Sequence, residues 1–128
     1  MIPNYLKYLV GNRVDGIFIC GTTGEGFNLT NEEKLTLIRA WRKAIDEQKA
    51  DIVAVVLITS LCMKESVYLS KQVESLGFDA VAVLPPNYYR PTSIDDWVNY
   101  LKVFASSAPN TPLYYYHNAI RIGEFNCN

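Results

Sequence analysis

Ile17-Phe18-Ile19-Cys20-Gly21-Thr22-Thr23-Gly24-Glu25-Gly26 is a short apolar run of β-forming residues that stops at a turn of glycines, threonines and one acid. A helix signal follows at Thr30-Asn31-Glu32-Glu33, where a hydroxyl and a carboxylate three residues apart form a capping box. Strand, polar glycine-rich loop and helix, in that order, are how an α/β protein builds a ligand site at the carboxyl end of a strand. The two hydroxyls and the loop amides are donors suited to a carboxylate or phosphate oxygen.

The pattern repeats outward from this stretch. Ile2, Tyr5, Leu6, Leu9 and Val10 fall at helical spacing, with Pro3 in the first turn and Gly11 as a stop, so an amphipathic helix precedes the strand at 16–20. Behind Thr30 a helix runs to about Lys49, its buried stripe formed by Leu35, Ile38, Trp41 and Ile45. Asp51–Ile58 is continuously apolar, which predicts a strand covered on both faces. A helix from about Met63 to Leu76 is capped by Gly77, and Asp79–Leu84 is a third strand ended by Pro85 and Pro86. Ser93 with Asp96 opens another helix carrying Trp97, Tyr100, Leu101 and Phe104, and Pro112–Tyr116 is a last strand. Strands thus begin near residues 16, 52, 80 and 112, alternating with helices. Right-handed βαβ crossovers and a parallel sheet follow, either as a doubly wound open sheet or as part of a (β/α)₈ barrel. Periodicity does not choose between them.

Composition excludes several classes. The 128 residues hold 12 basic and 13 acidic side chains, so no basic face recommends nucleic acid. No apolar run approaches the roughly 18 residues of a membrane span, and Met-Ile-Pro-Asn lacks the features of a signal peptide. Cys20, Cys62 and Cys127 show no metal-ligand spacing; reduced thiols in a cytoplasmic protein are the expectation, with Cys20 in the core and no metal or cofactor. The loop has neither a Gly-Lys-Ser/Thr ending nor Gly-x-Gly-x-x-Gly spacing, which argues against an open-sheet nucleotide binder.

Gly21–Gly26 after an apolar strand resembles the pyruvate-binding loop of the dihydrodipicolinate synthase / N-acetylneuraminate lyase family. Leu113-Tyr114-Tyr115-Tyr116-His117 resembles the strand that ends in that family's catalytic tyrosine, with the lyase branch closer than the synthase branch. Gly77–Pro86 followed by Tyr88-Tyr89-Arg90-Pro91 is similar to a third family segment. The resemblance covers residues 2–117 and implies a partial TIM barrel, strands two to five with their helices; residues 118–128 read as a divergent tail. It further implies a Schiff-base aldolase that cleaves N-acetylneuraminate, a sialic acid, to N-acetylmannosamine and pyruvate, and a homotetramer. Thr22 and Thr23 would hold the carboxylate of pyruvate, Tyr116 would relay a proton, and Tyr88 would stand at a subunit interface or in the relay.

The imine-forming lysine of the family belongs to its sixth strand. The lysines here are Lys7, Lys34, Lys43, Lys49, Lys64, Lys71 and Lys102, all expected on solvated helix surfaces and none in a desolvated setting. The 128-residue chain is therefore expected to be inactive alone. The alternative is a non-catalytic partner of a full-length lyase subunit, pairing through open sheet edges. His117 reads as a hydrogen-bonded structural residue, Glu25 as a cap or ion-pair partner, and Arg39, Arg42, Lys43 and Glu47 as a solvated helix face.

Overall fold

The computed structural model describes residues 1–86 and 88–118. Of the tail expected at 118–128, all but Asn118 lies outside these residues. Helix α1 spans Ile2–Gly11 and is followed by β1 (Gly16–Ile19), a 3₁₀ turn at Gly26–Asn28 and α2 (Asn31–Gln48). Then come β2 (Val53–Leu57), α3 (Met63–Ser75), β3 (Ala80–Val83), α4 (Ile94–Ser107) and β4 (Leu113–Tyr115). No helix among the described residues is long and apolar enough to cross a membrane.

The helix ends are where local chemistry sets them. Thr30 Oγ1 accepts from the Glu33 amide at 3.2 Å while the Glu33 carboxylate accepts from the Thr30 amide at 2.8 Å. Ser93 and Asp96 repeat the box at the start of α4. After α3 the chain turns at Gly77 with φ +73°, the left-handed conformation that closes a helix without a Cβ penalty.

All four strands are parallel and lie in the order β1-β2-β3-β4. This order decides the architecture. A doubly wound sheet reverses its strand order at a switch point; here each crossover steps to the next strand in the same direction. Right-handed crossovers of that kind put every helix on one face of the sheet, as in a barrel wall.

The two faces follow from the register. Ile17, Ile19, Ala54, Val56, Val81, Val83, Leu113 and Tyr115 share one face, and Phe18, Val55, Leu57, Ala80, Ala82 and Tyr114 the other. The first face is sealed by helices. Val56, Val81 and Val83 are fully buried in one cluster with Leu6 of α1, Ile38 and Trp41 of α2, Leu69 and Val73 of α3 and Phe104 of α4. On the second face Phe18, Val53 and Tyr114 are exposed. The continuous apolar run of β2 was expected to be covered on both faces, but Val53 is 54% exposed. Leu57, on the same face, is only 2% exposed, so the strand is covered on both faces at its carboxyl end and open at its start.

That second face is concave. In a flat sheet, first and fourth strands stand about 14 Å apart, three steps of about 4.8 Å. Yet the ring of Phe18 on β1 meets that of Tyr116, just past β4, with centroids 5.5 Å apart. Strand curling of the kind that closes a barrel brings them together.

Candidate functional site

The carboxyl ends of the strands carry the chemistry. Past Ile19 the backbone turns sharply: Cys20 has φ +61° and Glu25 φ +51°, both left-handed. The Glu25 amide donates to Thr22 O at 3.1 Å and the Gly26 amide to Gly21 O at 3.3 Å, closing the loop on itself. A Cβ on Gly26 would lie 2.0 Å from the carbonyl oxygen of Cys20, so only glycine fits against that backbone. Thr22, Thr23 and Gly24 lie outside any helix or strand, and among the described residues their amides donate to no protein acceptor. The loop therefore offers unpaired donors to a ligand.

Beside it opens a cleft of about 950 Å³ lined by Thr22, Glu25, Thr59, Tyr88, Tyr100 and Asn118, among others. A hydrogen-bonded rim frames it. Leu84 N–H donates to Thr59 Oγ1 at 2.8 Å, tying the ends of β2 and β3. Tyr100 Oη on α4 donates to Leu84 O at 2.8 Å. Burial pushes the Tyr100 phenol up to about 12, with the charge of Tyr115 adding to it, so Tyr100 stays a neutral donor.

The residues expected from sequence are distributed over this rim. Thr22 is exposed and lines the cleft; Thr23 is exposed beside it without lining it. Tyr116 donates its amide to Val83 O at 2.8 Å, extending the ladder past β4. Its hydroxyl accepts from Asn118 Nδ2 at 3.4 Å, and Asn118 lines the cleft, so the phenol stands next to it. Tyr88 lines the cleft but is 82% exposed, packed edge-on against Tyr89. Tyr115, on the helix-covered face, packs on Trp97 and shares a 3.0 Å hydrogen bond with His117 Nδ1, which gives His117 a structural partner. Glu25 is expected to cap or to pair; among the described residues it is exposed and does neither. The outer face of α2 is as expected for Lys43 and Glu47, which pair weakly at 3.7 Å, but Arg42 stacks on Phe78 and donates to Gly77 O at 3.2 Å.

Two residues beside the candidate site are not apparent from the sequence. Phe18 links the two motifs: its ring packs on Tyr116, and its Cδ1 lies 2.6 Å from where a Cβ on Gly21 would be. Lys34 is the larger surprise. Expected on a solvated surface, it is only 4% exposed. Its Nζ donates to Thr59 O at 3.2 Å and lies 5.7 Å from the centre of the Phe27 ring. Burial holds its ammonium below the ordinary value of 10.5, opposed by the charges of Cys20 and Glu65. The signal was in the periodicity: Lys34, Ile38, Trp41 and Ile45 form one stripe at helical spacing, and that stripe is buried. Cys20 beneath it is buried as expected, its thiol pushed up to about 11 by that burial and hence unreactive.

A singly wound parallel sheet with a donor-rich loop at its carboxyl rim is the wall of a (β/α)₈ barrel, and comparison with known proteins agrees. The model of the dihydrodipicolinate synthetase family matches residues 2–123, and the chain belongs to that family. Among curated proteins it is similar to N-acetylneuraminate lyase A of Xenopus laevis, 38% identical over 91% of this chain. It is 36% identical to N-acetylneuraminate lyase of Gallus gallus, again over 91% of the chain. It spans 38% of the length of each of these relatives. Among solved structures, the N-acetylneuraminate lyase (sialic acid aldolase) of Aliivibrio salmonicida superimposes with a TM-score of 0.89 at 29% identity, over 98% of this chain and 41% of that one. That of Proteus mirabilis gives 0.85 at 29% identity, over 93% and 39%. The fold is accordingly a partial TIM barrel.

Proposed function

We propose that these residues form the carboxylate-holding and proton-relaying part of an N-acetylneuraminate lyase site. Thr22 and Thr23, with the unpaired amides around them, hold the carboxylate of pyruvate or of the pyruvyl end of a sialic acid. Tyr116 passes a proton to and from the substrate hydroxyl, its ring set by Phe18. The observation that carries this reading is the convergence of two motifs 94 residues apart, Thr22 and Tyr116, at one rim of a curled sheet: Phe18 packs against Gly21 and Tyr116 alike. The names of the relatives supply the sugar-acid substrate.

The covalent step of such a lyase is an imine between a lysine and the ketone of pyruvate. No lysine of this sequence follows a strand, and the one buried amine, Lys34, is engaged with Thr59 O and buried near Phe27. We therefore expect no imine on the 128-residue polypeptide. Incubation with pyruvate and borohydride should leave its mass unchanged, while carboxylate binding should shift the amide resonances of Thr22 and Thr23. A pyruvyl adduct on any lysine overturns the first statement, and silent loop amides overturn the second.

A second reading, a non-catalytic partner of a full-length lyase subunit, is favoured by the exposed Phe18, Val53 and Tyr114 on the concave face. Outer edges of β1 and β4 that pair with nothing among the described residues add to it. Size-exclusion with and without a full-length lyase separates the readings, and a monomeric profile in both runs rejects this one.

A further inference from the structure

Lys34 is a buried cation without an anion. Among the described residues no carboxylate lies within 4.0 Å of its Nζ, the two ion pairs being Arg42–Asp46 and Lys43–Glu47. Glu65 acts on it only at longer range, and its carboxylate is taken by the Ser60 hydroxyl at 2.6 Å. An ammonium has three donors, and among the described residues its one hydrogen bond, to Thr59 O, uses one of them. Folding a charge into the interior on those terms is unfavourable unless a ligand or a field makes use of it.

Its surroundings say which ligand. Thr59, which accepts from the ammonium, and Phe27, whose ring centre is 5.7 Å from it, line the cleft that Thr22 lines. Cys20, whose left-handed backbone starts the Thr22–Thr23 loop, lies within electrostatic range of it, and its buried thiol stays neutral. The ammonium is thus held just past β2 beside the cleft, buried near Phe27, where a charge is felt more strongly than on the surface. Among the described residues the charged groups that line the cleft itself are Glu25, Arg90 and Asp96. Glu25 repels an anion, and Asp96 is bound up in the cap of α4. Arg90 is exposed, so solvent and salt screen it.

We propose that Lys34 is a positioning residue that supplies the fixed positive charge beside the cleft, giving the cleft its preference for a carboxylate over a neutral ligand. This rests on the reading of Thr22 and Thr23 as the carboxylate site. Lys34 acts through the loop and through Thr59 and does not touch the ligand.

The test is a titration of the ¹⁵N-labelled chain with pyruvate and, separately, with pyruvamide, its uncharged analogue, following the Thr22 and Thr23 amides. In the native chain pyruvate should bind more tightly than pyruvamide. Lys34→Met, similar in length but uncharged, should weaken pyruvate about tenfold and leave pyruvamide unchanged. Lys34→Arg should restore pyruvate binding, and Arg90→Gln should change it less than Lys34→Met does. Thermal unfolding reports whether each variant is folded, and Lys34→Gln serves as a second neutral variant of different polarity. Native binding of pyruvate by a folded neutral variant overturns this proposal and leaves the carboxylate site standing. Absence of any pyruvate response at Thr22 and Thr23 in the native chain overturns the carboxylate site, and the Lys34 proposal with it.

Discussion

The two faces of the sheet are made from the same four strands and do opposite work. On the helix-covered face Val56, Val81 and Val83 are fully buried aliphatics in one cluster with Phe104. On the concave face Phe18 and Tyr114 are partly open aromatics, and Tyr116 continues them past the strand. A parallel strand alternates its side chains, so each one contributes to both roles. The covered face supplies most of the burial that makes the element stable. The concave face and its carboxyl rim carry polar tips, unpaired amides and a buried charge, none of which folding alone requires.

That division can be broken from the stable side first. Phe104→Ala, at a site 1% exposed, should cost about 3–5 kcal/mol. Urea unfolding would measure it, and a loss under about 1 kcal/mol would show that the covered face is not the main source of stability. Next comes the seam between the faces. Gly26→Ala would put a methyl 2.0 Å from the Cys20 carbonyl oxygen, forcing the loop to move at a cost of about 1–3 kcal/mol. Thr22 and Thr23 amide shifts should change with it while those of α3 stay in place.

A smaller effect belongs to the helix starts. Thr30→Ala removes one half of a capping box and should lower stability by about 1 kcal/mol in thermal or urea unfolding. The same boxes make an acid signature. Hydrogen bonds from Thr30, and from Ser93 and Thr92, hold the carboxyls of Glu33 and Asp96 below their ordinary values of 4.5 and 3.8. Because the folded values are depressed, their contribution is complete above those ordinary values and is lost as pH falls below them. Replacing both acids by their amides should flatten the acid limb of a melting-temperature profile; an unchanged limb would remove the boxes from the account. The smallest effect is expected on the concave face, where Tyr116→Phe deletes a hydroxyl that, among the described residues, is bonded to Asn118 alone. Stability should move by less than about 0.5 kcal/mol. A larger change would mean that the phenol serves the fold rather than the site.

Much of this was legible in the sequence because it depends on neighbours along the chain. The capping boxes at Thr30 and Ser93, the glycine after α3, and the alternation of strands and helices appear within a residue or two of where they were read. The burial of Leu35, Ile38, Trp41 and Ile45 was equally plain, being a matter of helical period. The pairing of the Thr22 loop with Tyr116 was legible only through resemblance to a family, since nothing local connects residues so far apart. The burial of Lys34 is hidden in the sequence because its charge argues for solvent while its place on an apolar stripe argues for the core. A lysine reaches the rim of a sheet when its stem lies along the buried face and its head finds a carbonyl.

By itself the sequence determined the elements, their ends and the polar loop after β1, because hydrogen bonds and periodicity within a few residues set them. Only the tertiary structure decided that the sheet runs β1-β2-β3-β4 without a reversal and curls toward Phe18 and Tyr116. It also decided that one lysine is carried inside. Strand order, curvature and the burial of a charge depend on which distant segments meet, and that is settled by packing helices against one face of the assembled sheet.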